Sequence, residues 1–231
     1  MKKILILAAV LMFALIPAYA NEAEKEITAF VSITNDTGAL CLAAEEITVT
    51  DVDQDGALTI HDAIYCAHVQ KHELGAEAFL TENTQWGISM IRLWNVENGG
   101  SYGYYLNDAS AWSMADPIQA GDHVKAYAYT DMETWSDTYS FFDVLFAEAN
   151  VGAEIALTLS AAGFDANFAP IALKVENAVL TVNGEQTAVK TDAEGKAVLS
   201  FKEAGEYVIS AESEEMNLVA PVCVITVKAG E

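Results

Sequence analysis

Basic side chains are scarce in this chain of 231 residues: 11 lysines and arginines stand against 34 aspartates and glutamates, a formal net charge of −23. Such a surface repels nucleic acid and anionic lipid, and favours cations as partners. No long apolar run follows the first twenty residues, so no membrane span is expected. Cysteine is limited to Cys41, Cys66 and Cys223, an odd number that allows at most one internal disulfide. A Cys41 to Cys66 bridge stays open, while Cys66 in a predicted helix and Cys223 in a predicted buried strand suit small apolar packing roles. Their spacing fits no zinc ribbon. SxxK and phosphate-cradling glycine loops are also missing, and paired carboxylates identify nothing in so acidic a chain, so the expectation is a non-catalytic protein.

What is present begins with MKKILILAAVLMFALIPAYA: two lysines, an apolar run from Ile4 to Ile16, and an AxA exit at Ala18 to Ala20. That is the layout of a secretory signal peptide over residues 1–20, too short in its apolar part to span a membrane. The expected product is a secreted or cell-surface chain of 231 − 20 = 211 residues, with nine basic against 34 acidic groups, a charge of 9 − 34 = −25. Its apolar residues are plentiful and interleaved with polar ones, so the chain is expected to fold.

The hydrophobic pattern divides the chain at about residue 146. From residue 21 to 146, ITAFVSIT and EITVTD read as strands, and TIHDAIYCAHVQKH as a helix with Ile60, Ala63, Ile64 and Ala67 on one face. GISMIRLWNV, YGYYL and HVKAYAYT return to strand composition between NGG, ND and AGD turns. The order predicts an α+β region with the helix laid across a sheet. From 147 to 231 the helical period is gone: EIALTLSAAG, NAVLTVNG, KAVLSFKEAG, GEYVISAE and VCVITVKAG are short alternating strands, the signature of a β-sandwich. FAEANVGA reads as the connection.

DVDQDGALTIHD, residues 51–62, carries the densest chemistry. Calcium requires six to eight oxygen ligands from one flexible loop. Asp51, Asp53 and Asp55 supply carboxylates at the first, third and fifth positions, and Gly56 supplies the sharp turn at the sixth. Ala57 offers its carbonyl, Thr59 its hydroxyl directly or through water, and Asp62 closes the twelfth position, while Leu58 packs inward. Thr59 also stands where a helix cap would, three residues before Asp62. The stretch resembles an EF-hand loop, and more closely its bacterial dockerin-type variant, which has no incoming helix and carries Asp at the twelfth position. The resemblance implies bound calcium of micromolar to millimolar affinity.

Downstream, the aromatic stretch from Trp86 to Asp131 runs through a strand, an NGG turn, YGYYLN, an apolar loop and GDHV. With Asp62 and Ala63, then Tyr104 to Asn107, then Gly121, Asp122 and Val124, it resembles the β-grasp domain shared with the C-terminal domain of transcobalamin and intrinsic factor. The resemblance implies a binding or adhesion module. Trp94, Tyr102, Tyr104, Tyr105, Asn107 and Trp112 are the candidates for a face that stacks on a glycan, a peptide or a planar corrinoid-like cofactor. Any one of them is equally a core residue. His61, His68 and His72 form a narrow helical stripe, read as wet and polar, although the i, i+4 pair has a spacing that suits zinc. In the last region TDAEGKAVLSF resembles bacterial immunoglobulin-like modules, which implies a sandwich. Together these readings predict a β-grasp-like domain with a structural calcium loop, followed by an immunoglobulin-like sandwich. The alternative is a secreted carrier of a glycan or corrinoid, and surface proteins are further candidate partners.

Overall fold

The computed structural model describes residues 26–230; the signal peptide expected over 1–20 lies outside them. The chain order is β1 (Glu26–Thr34), β2 (Leu40–Thr50), α1 (Ile60–Lys71), β3 (Leu80–Thr84), β4 (Gly87–Arg92), β5 (Tyr102–Leu106), β6 (Ala109–Ser110) and β7 (His123–Ala128). There follow β8 (Thr138–Phe142), β9 (Phe146–Asn150), β10 (Glu154–Phe164), β11 (Pro170–Lys174), β12 (Val179–Val182), β13 (Glu185–Lys190), β14 (Lys196–Ser200), β15 (Gly205–Glu212), β16 (Leu218–Val219) and β17 (Cys223–Lys228).

The first sheet has the order β2-β1-β7-β5-β6, with β1 and β7 parallel. Helix α1 packs on β2 of that sheet. It starts where Thr59 and Asp62 form a complete capping box, and its first free N–H groups are taken up by a distant loop, Ile60 by the Asp116 carbonyl and His61 by that of Met114. Ile60, Ala63, Ile64 and Ala67 are fully buried and join Ile33, Ile47, Leu93 and Met114 in one core. Burial of each of these larger aliphatic side chains contributes roughly 2 kcal/mol.

The second half is a two-sheet sandwich. One sheet runs β11-β10-β8-β16 with β14 also on β10, and the other runs β13-β12-β15-β17-β9. Alternating inward residues from both, Leu157 and Leu159, Leu180, Ile209 and Ile225 among them, form its core. The outer residues stay exposed, as in the strict alternation of β14.

Two expectations are corrected here. The class is not α+β with a distinct β-grasp domain: strand accounts for 51% of the chain and helix for 8%, so the protein is essentially all-β. Among the described residues the single α-helix is a 12-residue crossing, and strands β8 and β9 carry the first half directly into the sandwich, pairing with β10 and β16 and with β17. The segment FAEANVGA, expected to be a connection, holds β9. Its parallel pairing with β17 fixes Phe146 against the ring of Phe30, centroids 4.7 Å apart. A small apolar contact of Leu40, Ala43 and Ala44 with Val208, Val222 and Val224 joins the two halves.

Candidate functional site

The acidic loop begins where β2 ends. Gln54 and Gly56 both adopt positive φ, +60° and +91°, a conformation natural for glycine and tolerated by Gln54 inside the turn. The turn folds the carboxylates over the loop's own backbone. Asp51 Oδ1 and Oδ2 accept from the N–H of Asp55 (3.2 Å) and Gly56 (2.9 Å), and Asp55 Oδ1 accepts from Ala57 N–H (2.9 Å). As a result Asp51, Asp53 and Asp55 each bring an oxygen within 4.8 Å of the other two. The Asp53 carboxyl is held above the ordinary carboxylate range, first by desolvation in the loop and then by the neighbouring carboxylates of Asp55 and Asp62. Val52 and Leu58 anchor the loop on the core beneath.

Asp62 and Thr59 are employed differently. Asp62 is fully buried; its Oδ1 accepts from Val52 N–H (2.9 Å), and its Oδ2 from the N–H (2.8 Å) and hydroxyl (2.7 Å) of Thr59. Asp62 therefore ties the loop's start to its exit and caps α1, standing outside the group of three. Among the described residues this trio is the group of carboxylate, thiol and imidazole ligands that comes together as a metal site would require. Three hard oxygen donors on a flexible turn suit calcium in chemistry, while six to eight are needed to complete its shell.

The aromatic candidates are not brought together. Tyr102 donates its hydroxyl to the carbonyls of Ile91 (2.7 Å) and Val96 (2.9 Å), and Tyr102, Tyr104 and Trp94 pack against the first core. Tyr105 points to the opposite side of β5, stacked on Tyr139 at 3.5 Å. Asn107, in positive φ, closes a turn by donating to Asp122 and accepting from His123 N–H. Trp112 alone projects into solvent, 96% exposed. The alternation of side chains along one strand separates residues that are adjacent in sequence.

The histidine stripe is also corrected. His68 is fully buried, its Nδ1 donating to the Ile64 carbonyl and its Nε2 accepting from Trp94 N–H, with Phe79 stacked on its ring. Both nitrogens are committed, and burial pulls its pKa down to about 4. It is a core residue, neither wet nor a zinc ligand. The three cysteines are free, which leaves no Cys41 to Cys66 bridge.

Sequence reasoning missed a second buried polar group. Lys125, on the central strand β7, is fully buried: Nζ donates to the Ser140 carbonyl at 3.0 Å and lies 4.7 Å above the ring of Tyr139. Tyr139 donates to Asp108 at 2.7 Å. Burial lowers the Lys125 pKa to about 7, against the pull of the Asp108 carboxylate. Beside it, His123 Nε2 and Ser32 Oγ share a hydrogen bond of 2.9 Å, and burial followed by Lys125 lowers the His123 pKa to about 3. The available signal was a lysine amid the unbroken apolar run of HVKAYAYT, where every residue of the strand is buried.

No protein-family model matches the chain, and no curated protein matches it. The resemblances to dockerin loops and to the vitamin-carrier domain thus gain no support. Solved structures that are similar include the tandem Ig repeats of Dlar, at 13% identity over 67% of this chain and 76% of that one, with a TM-score of 0.29. The N-terminal Ig1-2 module of the Drosophila receptor protein tyrosine phosphatase DLAR follows at 12% identity, the same coverage and a TM-score of 0.27. The N-terminal four Ig domains of a Dscam1 isoform match at 10% identity over 65% of this chain and 32% of theirs, TM-score 0.25. Overlaps this low say nothing of ligand or mechanism. The chain is essentially all-β, with two packed sheets in its second half, and no helix among the described residues is long and apolar enough to cross a membrane.

Proposed function

We propose that this chain is an exported, non-catalytic binding or adhesion module in which calcium has a structural role. The observation that carries the reading is the convergence of Asp51, Asp53 and Asp55, oxygens within 4.8 Å of one another, on a turn at the junction of β2 and α1. These three carboxylates would hold the ion, with the Ala57 carbonyl as a fourth protein donor from the same turn. Thr59 and Asp62 shape the exit of the loop through the capping box. When bound, the ion supplies positive charge that offsets three crowded carboxylates, and so stiffens the passage from the edge strand into the helix. The reading is that of a device for holding a binding surface in shape, as in extracellular calcium modules.

Calorimetric titration with calcium tests it, using the full chain and the Asp51→Ala plus Asp55→Ala double variant. The expected result is one saturable event, in the micromolar to millimolar range (roughly 10⁻⁵ to 10⁻³ M), that the double variant abolishes. Equal, unsaturable heats in both proteins would reduce the loop to a solvated acidic turn.

A further inference from the structure

A cleft of about 800 Å³ lies between the edge of the first sheet and the second sheet of the sandwich. One wall is the turn and strand from Thr37 to Ala43; the other is β15 with the loop leading to β16. Strand β2 is the terminal strand of its sheet, bonded to β1 alone. A strand with one partner presents alternate N–H and C=O groups, unpaired, along its other edge. Along Leu40 to Ala43 neither a proline nor a charged side chain covers that edge. The register on β1 shifts twice here, at Cys41 between Leu40 and Leu42 and again at Ala44, which has positive φ, so the open stretch is short and irregular.

The chemistry of the walls selects what fits. Small side chains of both kinds line the cleft, Ala39, Ala43 and Val208 beside Thr181, Ser210 and Asn217, and the lining contains no lysine, arginine or histidine. Its carboxylates are Glu45, which also bridges to Lys71 on the surface, and Glu212. Glu214 and Glu215, both exposed, sit in the loop between the lining residues Ser213 and Met216. Asp36 adds a further negative charge close to Cys41. A mixed interior of small side chains beneath an acidic rim, beside an open strand edge, suits the two-residue alternation of an extended chain: small side chains inward, cations outward. We propose that this cleft binds an extended cationic peptide, which adds a strand to β2. A second copy of this chain is disfavoured as occupant by its net charge of −23. The inference does not depend on calcium.

The protein carries its own reporter: Cys41 lines the cleft half-exposed, while Cys66 and Cys223 are buried. Burial, with a smaller push from Asp36, holds the Cys41 thiol above its usual range, so alkylation by iodoacetamide is followed at alkaline pH. The probes are a capped peptide of alternating lysine and valine, its glutamate–valine counterpart, and two lysine–valine peptides N-methylated along one edge or the other. The unmethylated lysine–valine peptide is expected to bind saturably and to suppress Cys41 alkylation at saturation. One of the two methylated peptides, whose blocked edge faces β2, loses this effect while the other keeps it. Glu45→Gln with Glu212→Gln, both at the surface, weakens binding and leaves calcium titration unchanged. Four results overturn the proposal: no binding, equal binding of the acidic peptide, equal binding of both methylated peptides, or binding that leaves Cys41 reacting at full rate. Concentration-dependent dimerisation that shields Cys41 without peptide also overturns it, by making a second copy the occupant.

Discussion

In the sandwich the fully buried large side chains are Leu157, Leu159, Leu180, Ile209 and Ile225, and the buried polar residues are the hydroxyls Ser140, Ser160, Thr181 and Thr191. In the sheet ahead of it, Asp62, His68, His123 and Lys125 are buried alongside the aliphatic residues. Both halves meet the same requirement, removal of apolar area from water, but only the first places carboxylate, imidazole and ammonium groups inside. Each of those must find a hydrogen-bond partner and remain in one protonation state. Near neutral pH the sandwich is therefore held by packing, whereas the first half is held by packing conditional on pH. The acidic loop and the edge strand β2 belong to that first half, whose internal polar bonds orient them: Ser32 Oγ accepts from Ala44 N–H on β2, and Asp62 spans the loop.

The largest effects are expected from emptying one core at a time. Ile64→Ala in the first half and Leu159→Ala in the sandwich, both fully buried, should each cost about 3 kcal/mol. All four tryptophans, Trp86, Trp94, Trp112 and Trp135, lie in the first half. Their fluorescence reports that half alone, while circular dichroism reports every strand. Because β8 and β9 lock the halves together, chemical unfolding followed by the two signals should coincide, and both variants should shift the common midpoint. Fluorescence that is indifferent to Leu159→Ala would mean that the halves unfold independently.

Next in size is a pH effect confined to the first half. The unfolded lysine keeps its proton to about pH 10, while Lys125 in the fold releases it at about 7. Between those values the unfolded state binds the extra proton, so stability rises with pH. From pH 7 to about 8.5 the gain approaches roughly 2 kcal/mol. At higher pH the Cys223 thiol, pushed up to about 12 by burial, and the buried hydroxyls of Tyr127 and Tyr139, also raised, act in the opposite sense, because the unfolded chain ionises first. Lys125→Met preserves the volume and removes the rise. Denaturant midpoints measured at pH 7 and 8.5 for both proteins check this, and equal slopes would assign the effect elsewhere.

The sandwich was the more legible half because its strands are short and bounded by turns, and one of them, KAVLS, places residues alternately inside and outside, a pattern that runs along one dimension. The helix face of Ile60, Ala63, Ile64 and Ala67 was equally plain, and the spacing of Asp51, Asp53, Asp55 and Gly56 announced a turn that gathers carboxylates. What stayed hidden depends on pairing between distant segments. β9 has two alanines and two polar residues in FAEAN, and becomes a strand only because β17 offers it an edge. His68 looked solvated because its partners, Trp94 and Phe79, are supplied by a later hairpin. The class was misjudged for a related reason: the helix carries the strongest local signal, while short strands such as β3, β6, β11 and β16 carry almost none. Composition marked the aromatics as a group, and the pleat of β5 divided them.

The smallest contrast uses the same substitution in both halves. Gly103 on β5 faces Tyr127 on β7, and an added Cβ would lie 2.2 Å from that ring. The ring is buried, with Tyr105 and Tyr129 against it, so it has nowhere to turn, and Gly103→Ala should cost about 2 kcal/mol. In the sandwich, Gly163 on β10 would bring its Cβ to 2.5 Å from Leu173 Cδ1. The Cγ of Leu173 would lie at 2.8 Å as well, but Leu173 stands on the edge strand β11, 41% exposed, so the whole side chain can swing about χ1 into solvent. Gly163→Ala should thus fall within about 0.5 kcal/mol of the parent, with alanine's lower unfolded-state entropy offsetting the shift. Thermal midpoints of the two variants measure the difference directly. A loss at Gly163 as large as that at Gly103 would show that β11 is held as firmly as β7, and would remove the distinction between a rigid polar interior and a yielding sheet edge.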